Sequence, residues 1–187
     1  SPGKGSLFDV IVDNAGPSGS LRRCASDAGV PSILLEAGEV WKIEPGVVKV
    51  GVRGILNVLK ALRMIDGVPI RPLFQLTIGK SSWVRAEGGG TLSFAARPGD
   101  LVEKEQVLAT IHNTFGTEKS QLVAPVSGIV IGVTTMPVTR PGDAIYHIAA
   151  LNRALYAQTK KKIDEASRKN LFRLVHDDLA KNVHGLG

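Results

Sequence analysis

The stretch Gly29-Val30-Pro31-Ser32-Ile33-Leu34-Leu35-Glu36-Ala37-Gly38 indicates the fold of the first part of the chain. Its apolar run follows a Gly-Val-Pro turn, which is typical of a strand buried on both faces of an α/β sheet. We therefore predict a strand over residues 33–35. Glu36 follows this strand, at the end where such sheets bind ligands. A carboxylate there can act as a general base with a raised pKa, or it can simply face solvent.

The composition sets limits on the class of protein. A chain of 187 residues allows one large domain or two small ones. Cys24 is the single cysteine, which excludes an internal disulfide and a cysteine-rich zinc site and fits a reducing cytoplasm. No apolar run approaches the ~18–20 residues of a membrane span, and the polar residues 1–6 predict no secretory signal. We expect a cytoplasmic protein with no membrane partner.

The net charge of +6 is unevenly distributed, because residues 151–187 carry eight Lys or Arg against four Asp or Glu. A basic patch of this kind can attract nucleic acid or an anionic surface. No recognition motif accompanies it, and aromatic residues are sparse in the chain. We therefore expect no nucleic-acid partner.

Residues 1–66 alternate strand and helix patterns. We predict a strand over residues 8–12 and a helix over residues 21–28 that Ser20 caps. Pro45 begins a longer helix, whose apolar residues recur at helical spacing until about residue 65. Residues 67–80 contain two X-Pro pairs, which favour extended chain, and we interpret them as a linker.

Residues 81–149 show short strand patterns between Gly, Pro and Asp turns, which predicts an all-β domain. The turn Arg97-Pro98-Gly99-Asp100 recurs as Arg140-Pro141-Gly142-Asp143, so two halves of this domain look alike. Residues 150–187 read as a basic helical tail that could dock on the protein or pair with another subunit. The predicted fold class is thus α+β, with a partial α/β segment, a small all-β domain and a helical tail.

The all-β domain resembles the biotinyl/lipoyl-type barrel-sandwich domain, through its repeated Pro-Gly-Asp turns and Ala124-Pro125-Val126-Ser127-Gly128. In the carrier members of that family a modified Lys lies at a hairpin tip before the Ala-Pro pair. The corresponding place here is near Thr117, and Lys119 comes two residues late without flanking Met residues. We interpret the domain as a structural relative without the carrier arm. A non-catalytic assembly module or a carrier-like module is the alternative function.

A second resemblance covers about residues 15–149. Its segments follow one another in order: Gly19-Ser20-Leu21-Arg22, then Ala28-Gly29-Val30-Pro31, Leu35-Glu36-Ala37-Gly38, residues 52–59, and Trp83-Val84-Arg85-Ala86. The series resembles the C-terminal part of the catalytic domain, and the following β domain, of the succinylglutamate desuccinylase/aspartoacylase family. These proteins are zinc-dependent amidohydrolases related to the zinc carboxypeptidases. The resemblance implies a zinc-peptidase-like α/β fold and hydrolysis of an N-acyl amino acid or a similar small amide.

The resemblance also implies roles for two residues. Glu36 matches the family's catalytic Glu, which would take a proton from zinc-bound water and pass it to the leaving amine. Arg22 matches an Arg at the start of a helix and would bind the substrate carboxylate, since a guanidinium suits bidentate recognition. An exposed helix residue without that role is the alternative for Arg22, and Arg23 is the neighbouring candidate.

The zinc ligands of the family are a His-x-x-Glu pair and a later His, all upstream of the matching segment. None of His112, His147, His176 and His184 is followed by Glu three residues later, and none precedes Glu36. We therefore assign no metal ligand to this chain and expect zinc only in the complete enzyme. A chain without the zinc-binding half is expected to be inactive. Homo-oligomerisation or association with that half would cover the sheet edges left open.

Overall fold

The computed structural model describes residues 9–70, 75–117 and 119–168. The fold is α+β, as predicted. His176, His184 and the predicted helix beyond residue 168 lie outside the described residues.

The first part of the chain contains β1 (Asp9–Val12), α1 (Leu21–Asp27) and α2 (Pro45–Ala61). The predicted strand and both predicted helices are thereby confirmed. The Arg23 backbone N–H donates to the side chain of Ser20 over 3.3 Å, so Ser20 caps α1 as expected. β1 pairs in parallel with β2 (Gln75–Ile78). β2 therefore places a strand within the segment that we interpreted as a linker.

The predicted strand over residues 33–35 is wrong. The segment has no regular secondary structure, and its three apolar side chains are exposed, with Ile33 at 88%. A strand buried on both faces needs neighbouring strands and covering helices. Within the described residues the sheet of β1 holds only β1 and β2, and neither strand pairs with this segment.

Residues 81–150 form two antiparallel sheets of four strands. One sheet has the strand order β3-β10-β8-β5, and the other has the order β7-β6-β4-β9. The strands are β3 (Ser81–Arg85), β4 (Gly90–Phe94), β5 (Leu101–Val102), β6 (Val107–His112), β7 (Lys119–Val123), β8 (Gly128–Val133), β9 (Val138–Thr139) and β10 (Ala144–Ala150). α3 (Arg153–Arg168) follows, and begins the predicted helical tail.

The main core lies between the two sheets, and Tyr146 on β10 occupies its interior. The Tyr146 hydroxyl donates to the carbonyl oxygens of Ala96 at 3.0 Å and Leu108 at 2.6 Å. Phe94 from the other sheet meets its ring edge-on, with centroids 6.2 Å apart. Burial raises the pKa of Tyr146 to about 12, so the phenol stays a donor at neutral pH.

The two repeated turns have the same structure, which explains their shared sequence. In each turn the Asp side chain accepts from the Arg backbone N–H at 2.8 Å. The Asp backbone N–H donates back to the Arg carbonyl oxygen, at 3.0 Å in the first turn and 3.1 Å in the second. The glycines have φ of 93° and 90°, which a type II turn with Pro before it requires.

A second, smaller core covers the outer face of the sheet that contains β8 and β10. Leu76 and Ile78 of β2 pack there with Ile129, Ala149 and Leu151. The α3 side chains Leu155 and Tyr156 and the β1 side chain Val10 pack against the same cluster. The strand pair β1–β2 and the first part of the helix α3 thus both pack on the β domain. No helix in the described ranges has the length and apolar character needed to cross a bilayer.

Candidate functional site

Arg22 lies on α1 and its guanidinium turns towards the loop that follows β1. Nη2 donates to the Asn14 side-chain oxygen at 2.7 Å, and Nη1 donates to the Asn14 carbonyl oxygen at 3.3 Å. A Cβ added at Gly16 would lie 2.8 Å from Nη2, so this glycine lets the loop pass close to the guanidinium. Arg23 pairs instead with Asp27 one turn further along α1, at 2.9 Å. The structure therefore directs Arg22, and not Arg23, to the carboxyl end of β1.

Glu36 lies on the connection from α1 to α2, which is held at both ends. Before it, the Ser32 hydroxyl donates to the carbonyl oxygen of Arg22 at 3.1 Å. Leu35 packs on α2, since a Cβ added at Gly51 would lie 3.8 Å from its Cδ2. Glu36 itself is exposed, and its carboxylate has no hydrogen-bond or ion-pair partner among the described residues.

Arg22 lies on α1, whereas Glu36 lies on the connection from α1 to α2. No hydrogen bond or ion pair joins them in the described part of the chain. Ser32 connects the two surroundings, because its hydroxyl donates to the carbonyl oxygen of Arg22 and it lies four positions before Glu36. The described residues thus offer a partly exposed guanidinium held by Asn14 and an exposed carboxylate on the connection to α2.

Asn14 and Ser32 are the residues that the sequence analysis missed. Asn14 accepts from the Gly16 backbone N–H at 3.0 Å, the contact of an Asx turn, as well as from Arg22. The signal available in the sequence is the Asn-x-Gly pattern directly after a strand. For Ser32 the chain offers no comparable pattern, because its partner is a backbone carbonyl ten positions away.

The described residues contain no group of three His, Cys, Asp or Glu side chains that could hold a metal ion. His112 lies on β6 and His147 on β10, both in the β domain. His147 stacks on Trp83 with ring centroids 4.2 Å apart and planes 7° from parallel, and burial lowers its pKa. These donors do not fit a zinc site.

Lys119 is the first residue of β7 and pairs in register with His112, so it lies beside the hairpin and not at its tip. The tip is closed by Asn113, which donates to the Thr117 hydroxyl and accepts from its backbone N–H, both at 3.0 Å. Phe115 is an exposed side chain there, and Thr117, which lies near the predicted place of a carrier lysine, is exposed as well.

Comparison with known proteins shows which solved structures share the fold of this chain. No family model matches the sequence, and a search among curated proteins finds no relative. Among solved structures, the apo ectoine utilization protein EutE from Ruegeria pomeroyi superposes with a TM-score of 0.70 at 19% identity. The match covers 79% of this chain and 48% of that protein.

A succinylglutamate desuccinylase/aspartoacylase from Rhodobacter sphaeroides superposes with a TM-score of 0.67 at 23% identity, over 79% of this chain and 47% of that one. A succinylglutamate desuccinylase from Silicibacter sp. TM1040 matches with a TM-score of 0.67 at 17% identity, over 79% and 46%. The fold is that of succinylglutamate desuccinylase/aspartoacylase proteins. The chain spans about half the length of these structures, as the resemblance of its motifs predicted.

Proposed function

We propose that this chain is the C-terminal part of an amidohydrolase that cleaves the amide bond of an N-acyl amino acid or a similar small amide. The observation that carries the proposal is the fold shared over 79% of the chain with desuccinylase/aspartoacylase proteins. A product-bound form of the ectoine utilization protein shares it too, with a TM-score of 0.68. The names of the other two neighbours denote succinylglutamate, an N-acyl amino acid, as a substrate.

Glu36 is the general base of this proposal. Hydrolysis of an amide needs a group that takes a proton from the attacking water and returns it to the leaving amine. A carboxylate with no other partner, on a connection held by Ser32 and Leu35, can serve this purpose. Glu36 is exposed, and this proposal assigns the rest of its surroundings to a further element.

Arg22 binds the carboxylate of the substrate. Two of the five N–H donors of a guanidinium are used on Asn14, and the others remain for a ligand. Asn14 sets the orientation of the guanidinium, so the group is fixed before the substrate arrives.

Zinc enters this proposal only with the complete enzyme, since the residues described here do not fit a metal site. We therefore derive no step through a metal. The isolated chain is expected to hold no zinc tightly and to lack amidase activity.

Replacement of Glu36 tests the general base. In the complete enzyme, Glu36→Gln keeps the shape of the side chain but removes its basicity, and turnover should fall by about 10²–10⁴-fold. The matched control is Glu39→Gln, on the same connection, whose carboxylate pairs with Lys42 and is expected to leave turnover unchanged. Turnover of the Glu36→Gln enzyme within a few-fold of the parent would reject the role.

The second candidate is a non-catalytic module, favoured by the closed core of the β domain and its docked helix. Its carrier version requires a modified Lys119, and the intact mass of the purified chain decides it. The unmodified mass contradicts the carrier version, and an added biotinyl or lipoyl mass on Lys119 supports it.

A further inference from the structure

The two neighbouring arginines of α1 have partners of different charge. Arg23 Nε donates to both carboxylate oxygens of Asp27, at 2.9 and 3.0 Å, so the positive charge of Arg23 is compensated. Arg22 donates to the side-chain oxygen and the carbonyl oxygen of Asn14, which carry no net charge. Among the described residues no carboxylate pairs with Arg22. The guanidinium of Arg22 is therefore held in place while its charge stays uncompensated.

The side chain of Asn14 is itself fixed by the loop that follows β1. Its oxygen accepts from the Gly16 backbone N–H at 3.0 Å and from Arg22 Nη2 at 2.7 Å. An amide oxygen accepts two hydrogen bonds, so both of its positions are occupied. The Asn14 carbonyl oxygen accepts from Nη1 at 3.3 Å. One residue thus orients the guanidinium through two of its three nitrogens.

The backbone at Gly16 limits the orientation further. A Cβ added there would lie 2.8 Å from Nη2 and 3.2 Å from both Cζ and Nε of Arg22. Any side chain at this position would therefore displace the guanidinium from Asn14. A guanidinium has five N–H groups, and the two bonds to Asn14 leave three for a ligand. The described contacts thus present an oriented cation with several donors.

The residue type at position 14 decides what this cation can bind. An aspartate would accept the same hydrogen bonds from Gly16 and Arg22 and would form the same kind of turn. It would differ in charge alone. A carboxylate 2.7 Å from Nη2 would compensate the charge of Arg22 and repel a second carboxylate. The neutral amide gives the same orientation and leaves the charge for a ligand.

We propose that Asn14 is the positioning residue that makes Arg22 selective for a substrate carboxylate. Asn14 acts through Arg22, because it orients the guanidinium without neutralising it. This inference rests on the proposed function, which assigns the substrate carboxylate to Arg22. The ligand class is an N-acyl amino acid with a free carboxylate. The same amide without a carboxylate gains nothing from the pair of residues.

The variant Asn14→Asp separates charge from hydrogen bonding in the 187-residue chain. The probe is N-acetylglycine, and N-methylacetamide is its counterpart without a carboxylate. The Nε–H resonance of Arg22 in NMR spectra, assigned by its loss in Arg22→Lys, reports binding. We expect N-acetylglycine to shift this resonance in the parent chain and N-methylacetamide to leave it in place. Asn14→Asp should weaken the binding of N-acetylglycine by about 10–100-fold.

The matched control is Asp27→Asn, which removes the carboxylate that compensates Arg23 and leaves Arg22 as it is. Its affinity for N-acetylglycine should equal that of the parent. Three results overturn the proposal: no shift in the parent chain, equal affinity of the parent and Asn14→Asp, or tighter binding by Asp27→Asn. The second result is what a purely structural Asn14 predicts, since aspartate keeps its hydrogen bonds. The third result assigns the carboxylate to Arg23.

Steady-state kinetics of the complete enzyme separate this inference from the proposed function. Asn14→Asp should raise KM for an N-acyl amino acid by the same factor and leave kcat within about threefold, because the reacting amide is not touched. Amidase activity whose KM ignores Asn14→Asp rejects the role of Asn14 alone. Binding of N-acetylglycine that depends on the charge at position 14, in an enzyme without amidase activity, supports that role and rejects the proposed function.

Discussion

Residues 9–70 and residues 75–151 are similarly rich in apolar side chains but bury them very differently. In the second region Val102, Leu108 and Ile148 are fully buried between two sheets. In the first region neither helix buries a side chain, and Ile33 and Trp41 face solvent. The difference is that every strand of the β domain has its neighbours within the same chain. An apolar pattern therefore indicates which side chains favour burial. Whether they are buried depends on the strands and helices that the rest of the chain provides.

The largest expected effect comes from a methyl group added to the closed region. A Cβ at Gly128 would lie 2.1 Å from the carbonyl oxygen of Ala149 on the neighbouring strand. Gly128→Ala must therefore push β8 and β10 apart, and we expect a loss of about 3 kcal/mol of unfolding free energy or more. Urea denaturation followed by circular dichroism measures it. A loss below ~1 kcal/mol would show that this strand pair yields easily and would weaken the contrast between the regions.

A smaller loss is expected from Tyr146→Phe. The change leaves the buried carbonyl oxygens of Ala96 and Leu108 without the hydroxyl donor, at a cost of about 1–3 kcal/mol. Denaturant titrations of the variant and the parent at neutral pH measure this cost.

Alkaline pH gives an independent measurement on the same residue. Because the pKa of Tyr146 is raised from 10.0 to about 12 in the folded state, its contribution is fully present below pH 10. The contribution is lost as the pH rises from 10 to 12, where the unfolded chain releases the proton first. The parent should lose more stability than Tyr146→Phe over this interval. If the stability of the parent and that of Tyr146→Phe fell in parallel with pH, the buried hydroxyl of Tyr146 would not be the cause of the loss.

The smallest effect belongs to the open region and has the opposite sign. A Cβ added at Gly54 in α2 meets nothing within 4 Å. Gly54→Ala should therefore stabilise the helix by about 0.5–1 kcal/mol through its higher helix propensity. Hydrogen exchange of the α2 amides reports this gain, and slower exchange is the expected result. Faster exchange would mean that α2 is already closely packed on that side and would contradict the contrast between the two regions.

The features that were predicted correctly from the sequence are caps and turns formed by a few adjacent residues. Ser20 caps α1, Pro45 begins α2, and the two Arg-Pro-Gly-Asp turns form as expected, because each depends on a few adjacent residues. The strand over residues 33–35 was wrong because it depends on neighbours that the described chain does not supply. The strand β2 escaped prediction because it is short, follows two X-Pro pairs and pairs only with the distant β1.

For the candidate site, too, the sequence indicated individual residues but not the contacts between them. Arg22 and Glu36 were indicated by family motifs, and their roles stay predictions. The contact between Arg22 and Asn14 could not be predicted from spacing, because it depends on how the loop after β1 turns back onto α1. The Ser32 contact likewise requires the path of the whole connection to be known.

The two tryptophans of the chain lie one in each region, with opposite surroundings. Trp41 stands fully in water, whereas Trp83 is stacked flat on the imidazole of His147. Their fluorescence therefore separates into two signals. Emission from Trp41 is expected at the longer wavelength of an indole in water. Emission from Trp83 responds to the charge on His147, whose lowered pKa delays protonation until the pH falls below the ordinary histidine value. A single emission spectrum, without any label, thus reports on the surroundings of both regions.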